Sequence, residues 1–286
     1  MRGWLIGNGF FQSAAFSRLY DDLTQSAARQ GIALTLRTND EFCPLTDALF
    51  TEAPDFVLLW DKDVRLAKQL EARGLRVFNS SESVRLCDDK TLTYLKLNGE
   101  APMPETIVAP LTFTDYGEAR FLERVGEKLT YPYVMKEGCG SFGQQVYLIE
   151  SAAQARGLLN KMGERPVLFQ RFIKESFGRD VRVYVVGNRC VAAMERVNTT
   201  GDFRANIAGG GIAQPHALTK AEERLALLSV RKLGLLFGGV DLLFSADGPL
   251  LCEVNSNAHF AALKALTHVD PADVIFEEIR KKCADA

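Results

Sequence analysis

The chain of 286 residues carries 34 Lys and Arg against 36 Asp and Glu, a net charge of −2, with 47% hydrophobic and 24% charged residues. This ordinary globular composition has room for one large domain or two to three smaller ones, and it excludes any bulk electrostatic pull toward nucleic acid or an anionic membrane. No run approaches about 18 consecutive apolar residues, and Gly7, Asn8 and Gly9 interrupt the apolar start, so a cytoplasmic chain without a membrane span is expected.

Trp4 to Ile6 reads as a strand, and Phe16, Leu19, Tyr20, Leu23 and Ala27 recur at helical spacing until Gly31. Ile32 to Leu36, Phe56 to Trp60 and Arg76 to Phe78 are further short strands, and Val64 to Ala72 is a helix ended by Gly74. Strands separated by helices predict a small parallel sheet over residues 1–87. Gly7 and Gly9 do not complete a dinucleotide fingerprint, because position 12 is Gln and no acidic residue ends a strand about 20 residues on.

A second unit, 88–168, opens with a helix over Thr91 to Leu97, followed by the Pro102 to Pro104 connector and a mixed helical stretch from Tyr116 to Leu129. The strand Tyr133 to Lys136 runs into Gly138, Gly140 and Gly143, followed by the strand Val146 to Ile149 and a helix from Ser151 to Met162. Val167 to Ile173 is the next strand. In the third unit, 169–286, Val181 to Val186 and Cys190 to Met194 flank Gly187-Asn188, and Lys220 to Leu233 is a long helix. The order of elements gives an α/β class with α+β character toward the C-terminus.

Two apolar runs between Gly238 and Asn257 flank Ala246-Asp247-Gly248-Pro249, a turn sequence, and predict an antiparallel hairpin. A turn centred on Asp247 sets Asp241 opposite Glu253, with Asn255 on the same face, and leaves Val240, Leu242, Phe244, Cys252 and Val254 for the core. Facing anions in apolar strands require a cation. Either a hard divalent ion such as magnesium lies between them, or each acid pairs with its own Lys or Arg.

Gly138, Gly140 and Gly143 leave backbone N–H groups free to turn toward an anion, although the loop is not a Walker motif. Lys136 ends the preceding strand. Lys90 follows Cys87-Asp88-Asp89, and Asp180, Arg182, Glu195 and Arg196 lie along the strands beside Gly187-Asn188. The six cysteines form no CxxC pair and read as reduced thiols, and the three histidines share no metal-ligand spacing. Any chemistry must therefore use carboxylates, lysines, arginines and backbone.

The ordered set of Asp89-Lys90, the Lys136 strand with its GSFG loop, Arg204 to Asn206, and Asp241 with Glu253 and Asn255 resembles the ATP-grasp ligases. Within them, FNSSESVRLCDDK and GDFRANIAGGG are similar to the RimK-like amino-acid ligases, which add glutamate or related amino acids to a carboxylate. The resemblance implies an ATP-grasp fold with an N-terminal Rossmann-like sheet. It implies that Lys90 and Lys136 approach ATP phosphates under a lid with Gly140, Ser141 and Gly143. Gln170, Arg171, Phe172 and Ile173 would form the adenine hinge, with Asp180 near the ribose. Arg204 and Asn206 would lie at the phosphate and acyl-phosphate end, with Lys136 and Arg204 catalytic. Asp241, Glu253 and Asn255 would hold Mg2+, or Mn2+ in its place.

Two positions depart from the family. Arg171 stands where the hinge is usually acidic, and Asn255-Ser256-Asn257-Ala258-His259-Phe260 replaces the usual Asn-Ala-Ser-Pro-Gly. His259 is either a substrate contact or an ordinary packed histidine. The implied reaction activates a carboxylate as an acyl phosphate, and an amine then displaces phosphate to form an amide. The partners would be ATP, a small-molecule, peptide or protein carboxylate and an amino-acid amine, with no nucleic acid or membrane and with a homo-oligomer left open. A kinase of the same fold, or a nucleotide-binding protein without turnover, is the alternative.

Overall fold

The computed structural model describes residues 1–11, 13–140, 143–205 and 211–284. Its first part comprises β1 (Arg2–Gly7), α1 (Ala14–Arg29), β2 (Ala33–Thr38), β3 (Phe56–Leu59), α2 (Val64–Ala72) and β4 (Val77–Phe78). The strands form a parallel sheet in the order β2-β1-β3-β4. All four residues of β3 are buried, as a parallel strand covered on both faces requires. Ser13 and Asp63 cap the two helices through their side-chain oxygens, and α2 stops before Gly74, whose φ is +82°. Asn8 and Asp61 follow the carboxyl ends of β1 and β3, the edge at which open α/β sheets bind ligands.

The middle part comprises α3 (Ser81–Asp88), α4 (Lys90–Leu97), β5 (Thr106–Val108), α5 (Phe121–Leu129), β6 (Tyr133–Glu137), β7 (Val146–Ile149), α6 (Ala152–Met162) and β8 (Val167–Arg171). Its strands form an antiparallel sheet in the order β5-β8-β6-β7. The expected boundary at residue 168 therefore cuts through β8, which pairs with β5 and β6, and the middle sheet extends to Arg171. The helical stretch expected from Tyr116 begins only at Phe121, because Gly117 and Ala119 take φ of 52° and 44°.

The last part comprises β9 (Arg179–Val186), β10 (Arg189–Asn198), β11 (Gly211–Pro215), α7 (Lys220–Lys232), β12 (Phe237–Leu243), β13 (Leu250–Asn255), α8 (Ala261–Thr267) and α9 (Pro271–Ala284). The sheet order is β11-β10-β9-β12-β13, antiparallel throughout. Thr219 and Glu222 form a capping box that starts α7, whose apolar stripe covers Val181, Val183, Val185, Val240 and Leu242 on one face of the sheet.

The other face, with Tyr184, Val186 and Phe237, packs on Phe260 and Phe276 and on Leu5, Phe56, Leu58 and Trp60 of the first sheet. Trp60 stacks on Phe237 with ring centroids 5.4 Å apart. The first 87 residues thus share a core with the C-terminal sheet, and the chain fixes one against the other by burying aromatic surface between them.

Asn79 locks this junction and is 1% exposed. Its Nδ2 donates to the carbonyls of Phe237 (2.9 Å) and Ser256 (3.1 Å), and its Oδ1 accepts from the N–H groups of Leu236 (2.8 Å) and Phe237 (3.3 Å). Asn79→Ala strands these buried backbone groups and is expected to lower the unfolding free energy by roughly 3 kcal/mol. Urea denaturation measures this, and a loss below about 0.5 kcal/mol, the scale of an ordinary surface change, would show that the bonds do not hold the junction.

Candidate active site

The hairpin of β12 and β13 aligns Asp241 with Glu253 and Gly239 with Asn255, so two carboxylates and an amide share one face. Asn255 Nδ2 donates to Glu253 Oε1 at 3.0 Å, which leaves the Asn255 amide oxygen directed elsewhere. The register slips between Asp241 and Leu242, which pairs with Leu251, so Cys252 is the extra residue of a bulge. For that reason Cys252 is not simple core as expected. It lines a cavity, with its Sγ 3.6 Å from Lys136 Nζ.

Asp241 is buried and engaged by arginines. Arg182 Nε and Nη2 donate to its two oxygens at 2.6 Å each, and Arg196 Nη2 lies 2.8 Å from Oδ2. Arg196 is 4% exposed, and its Nε and Nη2 also donate to Asp180 at 2.7 and 2.6 Å. Asp180, Arg196, Asp241 and Arg182 therefore form an alternating chain across β10, β9 and β12. Burial works against the Arg196 cation, but Asp241 and Asp180 more than offset it, so its pKa lies well above the ordinary arginine value. For Asp241 the separate arginine partner, rather than an intervening metal alone, answers the facing-anion problem. Asp180, expected near a ribose, has both oxygens on Arg196.

Glu253 differs. Burial alone would raise its pKa, but Lys90, the Asn255 hydrogen bond, Lys136 and Arg182 together hold it at about 2. It is ionised at neutral pH and makes no ion pair within 4.0 Å among the described residues.

The lysines and the glycine loop meet the same place. Asp89 caps α4, and the Lys90 N–H donates to the Gly138 carbonyl at 2.9 Å. A Cβ at Gly138 would lie 2.7 Å from Asp89 Oδ1, so only glycine lets the loop approach α4. Lys90 Nζ donates to the Gly140 carbonyl at 3.2 Å, and Arg204 Nη1 to the Gly143 carbonyl at 2.8 Å while its other donors hold Asp202. Ser141 and Asn206 lie outside the described residues.

At the expected hinge, Gln170 is buried, with Nε2 donating to Thr106 Oγ1 at 2.9 Å. Arg171 is on the wall of the narrow cavity and pairs with Glu105, itself bridged by Lys128. The basic residue thus replaces an acidic one without facing the cavity as an unpaired charge. Phe172 sits edge-on to Phe177 and Phe203.

Two cavities meet at Gly143, Arg196 and Glu253. The narrower, about 110 Å³, is walled by Lys90, Lys136, Gly140 and the Gln170 to Ile173 strand end. The wider, about 580 Å³, lies between the first sheet and the Asn255 to His259 loop. The narrow cavity, with Lys90 and Lys136 on its wall, adjoins a roomier chamber, and the anionic Glu253 lines both.

Residues 93–279 match the RimK-like ATP-grasp domain, a stretch well over half of the chain. The chain belongs to the RimK-like ATP-grasp family. A probable alpha-L-glutamate ligase of Parasynechococcus marenigrum is 34% identical over 76% of this chain and 46% of its own length. Beta-citrylglutamate synthase B of Homo sapiens is 32% identical over 85% of this chain and 65% of its own. The chain thus spans about half to two thirds of these curated relatives. Among solved structures, a RimK domain ATP-grasp protein from Sphaerobacter thermophilus superposes with a TM-score of 0.72 at 24% identity, covering 97% of this chain and 99% of that one. D-alanine–D-alanine ligase from Bacillus anthracis, complexed with ATP, gives 0.75 at 17%, covering 100% and 98%. Both are likenesses of fold.

ATP-grasp ligases use ATP and magnesium, and the donor set here suits a hard cation. Glu253 contributes an ionised carboxylate and Asn255 a carbonyl oxygen. Asp241 accepts three bonds from the arginines, leaving about one of its roughly four lone-pair sites. No three His, Cys, Asp or Glu side chains converge as a metal shell among the described residues, so phosphate and water oxygens would have to complete it.

The members that sequence reasoning undervalued are Arg182 and Arg196, read as ordinary strand charges. In the structure Asp180 is in register with Arg196 and Asp241 with Arg182. No helix among the described residues is long and apolar enough to cross a membrane, and all six cysteines are free thiols.

Proposed function

We propose that this chain is an ATP-dependent carboxylate–amine ligase that forms an amide through an acyl phosphate. The observation that carries it is that Lys90 and Lys136 wall the narrow cavity, Asn255 walls the wide one, and Glu253 lines both. In this reading the narrow cavity takes the nucleotide, with the base against Gln170 to Ile173, and the wide one takes the carboxylate and the amine. The first unit (1–87), the middle sheet and the C-terminal sheet then act as three walls around one reaction.

A carboxylate cannot release oxide to an amine at neutral pH, so its oxygen must first become a phosphate leaving group. Lys136 and Lys90 offset negative charge on the transferring phosphoryl group, and Arg204 supports the chain that closes over it. Arg182 and Arg196 orient the carboxylate at the join, held by Asp241 and Asp180. Magnesium, on Glu253, Asn255 and the remaining site of Asp241, would neutralise phosphate oxygens, and manganese would substitute. The names of the relatives point to glutamate as the added amino acid.

A mass screen of pooled carboxylates and amino acids with Mg-ATP tests the reading. A product at the summed mass less one water, with ADP formed only when both substrates are present, is the expected result. A stable phosphorylated product that needs no amine would make the chain a kinase instead.

The loop carries a further prediction. Gly143 has φ +70°, which β-branched residues do not tolerate, and its carbonyl holds Arg204. Val at Gly140 and Gly143 together should loosen closure, admit water to the acyl phosphate and raise phosphate release over amide severalfold. A ratio of phosphate to amide equal to that of the parent chain would show that the loop does not shield the intermediate.

A further inference from the structure

We propose that Asp61 is the residue that selects substrate by its α-ammonium group, so that the wide cavity seats a free amino acid with that ammonium against the wall of the first sheet. The inference rests on the ligase reading and deepens it by giving the carboxylate substrate an α-ammonium and seating that ammonium.

Asp61 follows β3 at the carboxyl edge of the first sheet and lines the wide cavity. Its carboxylate accepts from Asn8 Nδ2 at 3.1 Å and from the Lys62 N–H at 2.6 Å, both uncharged donors. It makes no ion pair among the described residues, while the neighbouring Lys62 ammonium pairs with Asp88. Burial raises the Asp61 pKa, and its hydrogen bonds only partly counter this, so a cation is what the position lacks.

The position is also fixed. Asn257 Nδ2 donates to the Asp61 carbonyl at 2.7 Å, tying the first sheet to the loop that departs from the family pattern. Trp60, 2% exposed, and Asn257 line the same cavity. Arg182 and Arg196 line the same cavity. A chamber lined by the Asp61 carboxylate and by two guanidinium groups, with Glu253 and the Lys62–Asp88 pair also on its wall, fits a molecule that carries both an ammonium and a carboxylate. Next to them, burial and Arg182 lower the pKa of His259, whose ring packs edge-on to Phe16 with centroids 4.5 Å apart, which disfavours a competing cation beside the ammonium.

The test uses the full chain saturated with Mg-ADP and measures binding without turnover. The probes are the proteinogenic amino acids, their des-amino acids, and Nα-acetyl-L-lysine, which offers only a side-chain ammonium. At least one amino acid should bind about tenfold or more tightly than its des-amino acid, the scale of one charge-assisted contact. Asp61→Asn should erase that difference while leaving Mg-ADP affinity within about twofold of the parent, which shows the variant folded. No discrimination by the parent chain, discrimination that survives in Asp61→Asn, or binding of Nα-acetyl-L-lysine alone would each overturn the proposal. Absence of any amide in the mass screen, with ammonium discrimination intact, would instead remove the ligase reading and leave the Asp61 site standing.

Discussion

Glu253→Gln is expected to lower amide-forming turnover by about 10²-fold to 10³-fold, the usual effect of removing one preorganised charge from a phosphoryl-transfer site. The substitution keeps the shape of the side chain, so its effect isolates charge. In the folded chain Glu253 is surrounded by Lys90, Lys136 and Arg182, which hold its pKa at about 2 against the opposing effect of burial. The glutamine would leave those cations facing each other across the join of the two cavities and would offer a metal only a neutral oxygen. Lys136→Ala should cause a loss of similar order from the phosphate side. Steady-state rates with saturating Mg-ATP measure both, with circular dichroism as the check on folding, and turnover within about threefold of the parent in both variants would remove these residues from the chemistry.

The linkage has a sign that can be checked separately. The folded pKa of Glu253 is below its ordinary value of 4.5, so its ionised form stabilises the chain fully above that value. That contribution fades as the pH falls toward about 2. Glu253→Gln should accordingly flatten the loss of stability on acidification between those limits.

Arg196→Met is expected to cost about 3–5 kcal/mol of stability, because it removes the shared partner of two buried carboxylates. Asp180 and Asp241 would then sit on neighbouring strands with Arg182 paired to Asp241 and no ion pair left for Asp180 among the described residues. The quadruple variant in which Asp180, Arg182, Arg196 and Asp241 are all replaced by apolar residues should recover much of that loss, since the desolvation penalty goes with the charges. Urea denaturation of both variants measures the difference. Equal stability of Arg196→Met and the parent would mean that the chain of charges contributes nothing net to the fold.

The hairpin shows how far a sequence carries such a site. A turn centred on Asp247 places Asp241 opposite Glu253, and the structure has that pairing. Nearer the turn the same count fails by one, because the bulge at Cys252 shifts Leu242 onto Leu251, and a thiol assigned to the core faces Lys136 instead. On β9 and β10 the slip works the other way. Counting from the Val186–Arg189 pair without the irregularity between Cys190 and Ala192 sets Arg196 opposite Arg179, whereas the bulge delivers it to Asp180. A one-residue bulge leaves no trace in hydrophobic alternation, so the arginine chain was out of reach although each residue was in view.

The glycine loop and the lysines were legible because local chemistry dictates them, as at Gly138 against Asp89. The wide cavity was not. Its walls come from Asn8, Asp61 and Asn257, which are joined only by tertiary packing of the first sheet on the last. The middle boundary was misplaced for a related reason, since β8 is a continuous apolar run whose sheet partners no local pattern reveals.

A crystal structure of the full chain with magnesium and a non-hydrolysable ATP analogue tests the reading most directly. The triphosphate should lie between Lys90 and Lys136 in the narrow cavity. At least one metal ion should be bound at about 2.0–2.1 Å by oxygens of Glu253 and Asn255. Nucleotide seated outside that cavity, or metal held by side chains other than these, would contradict it.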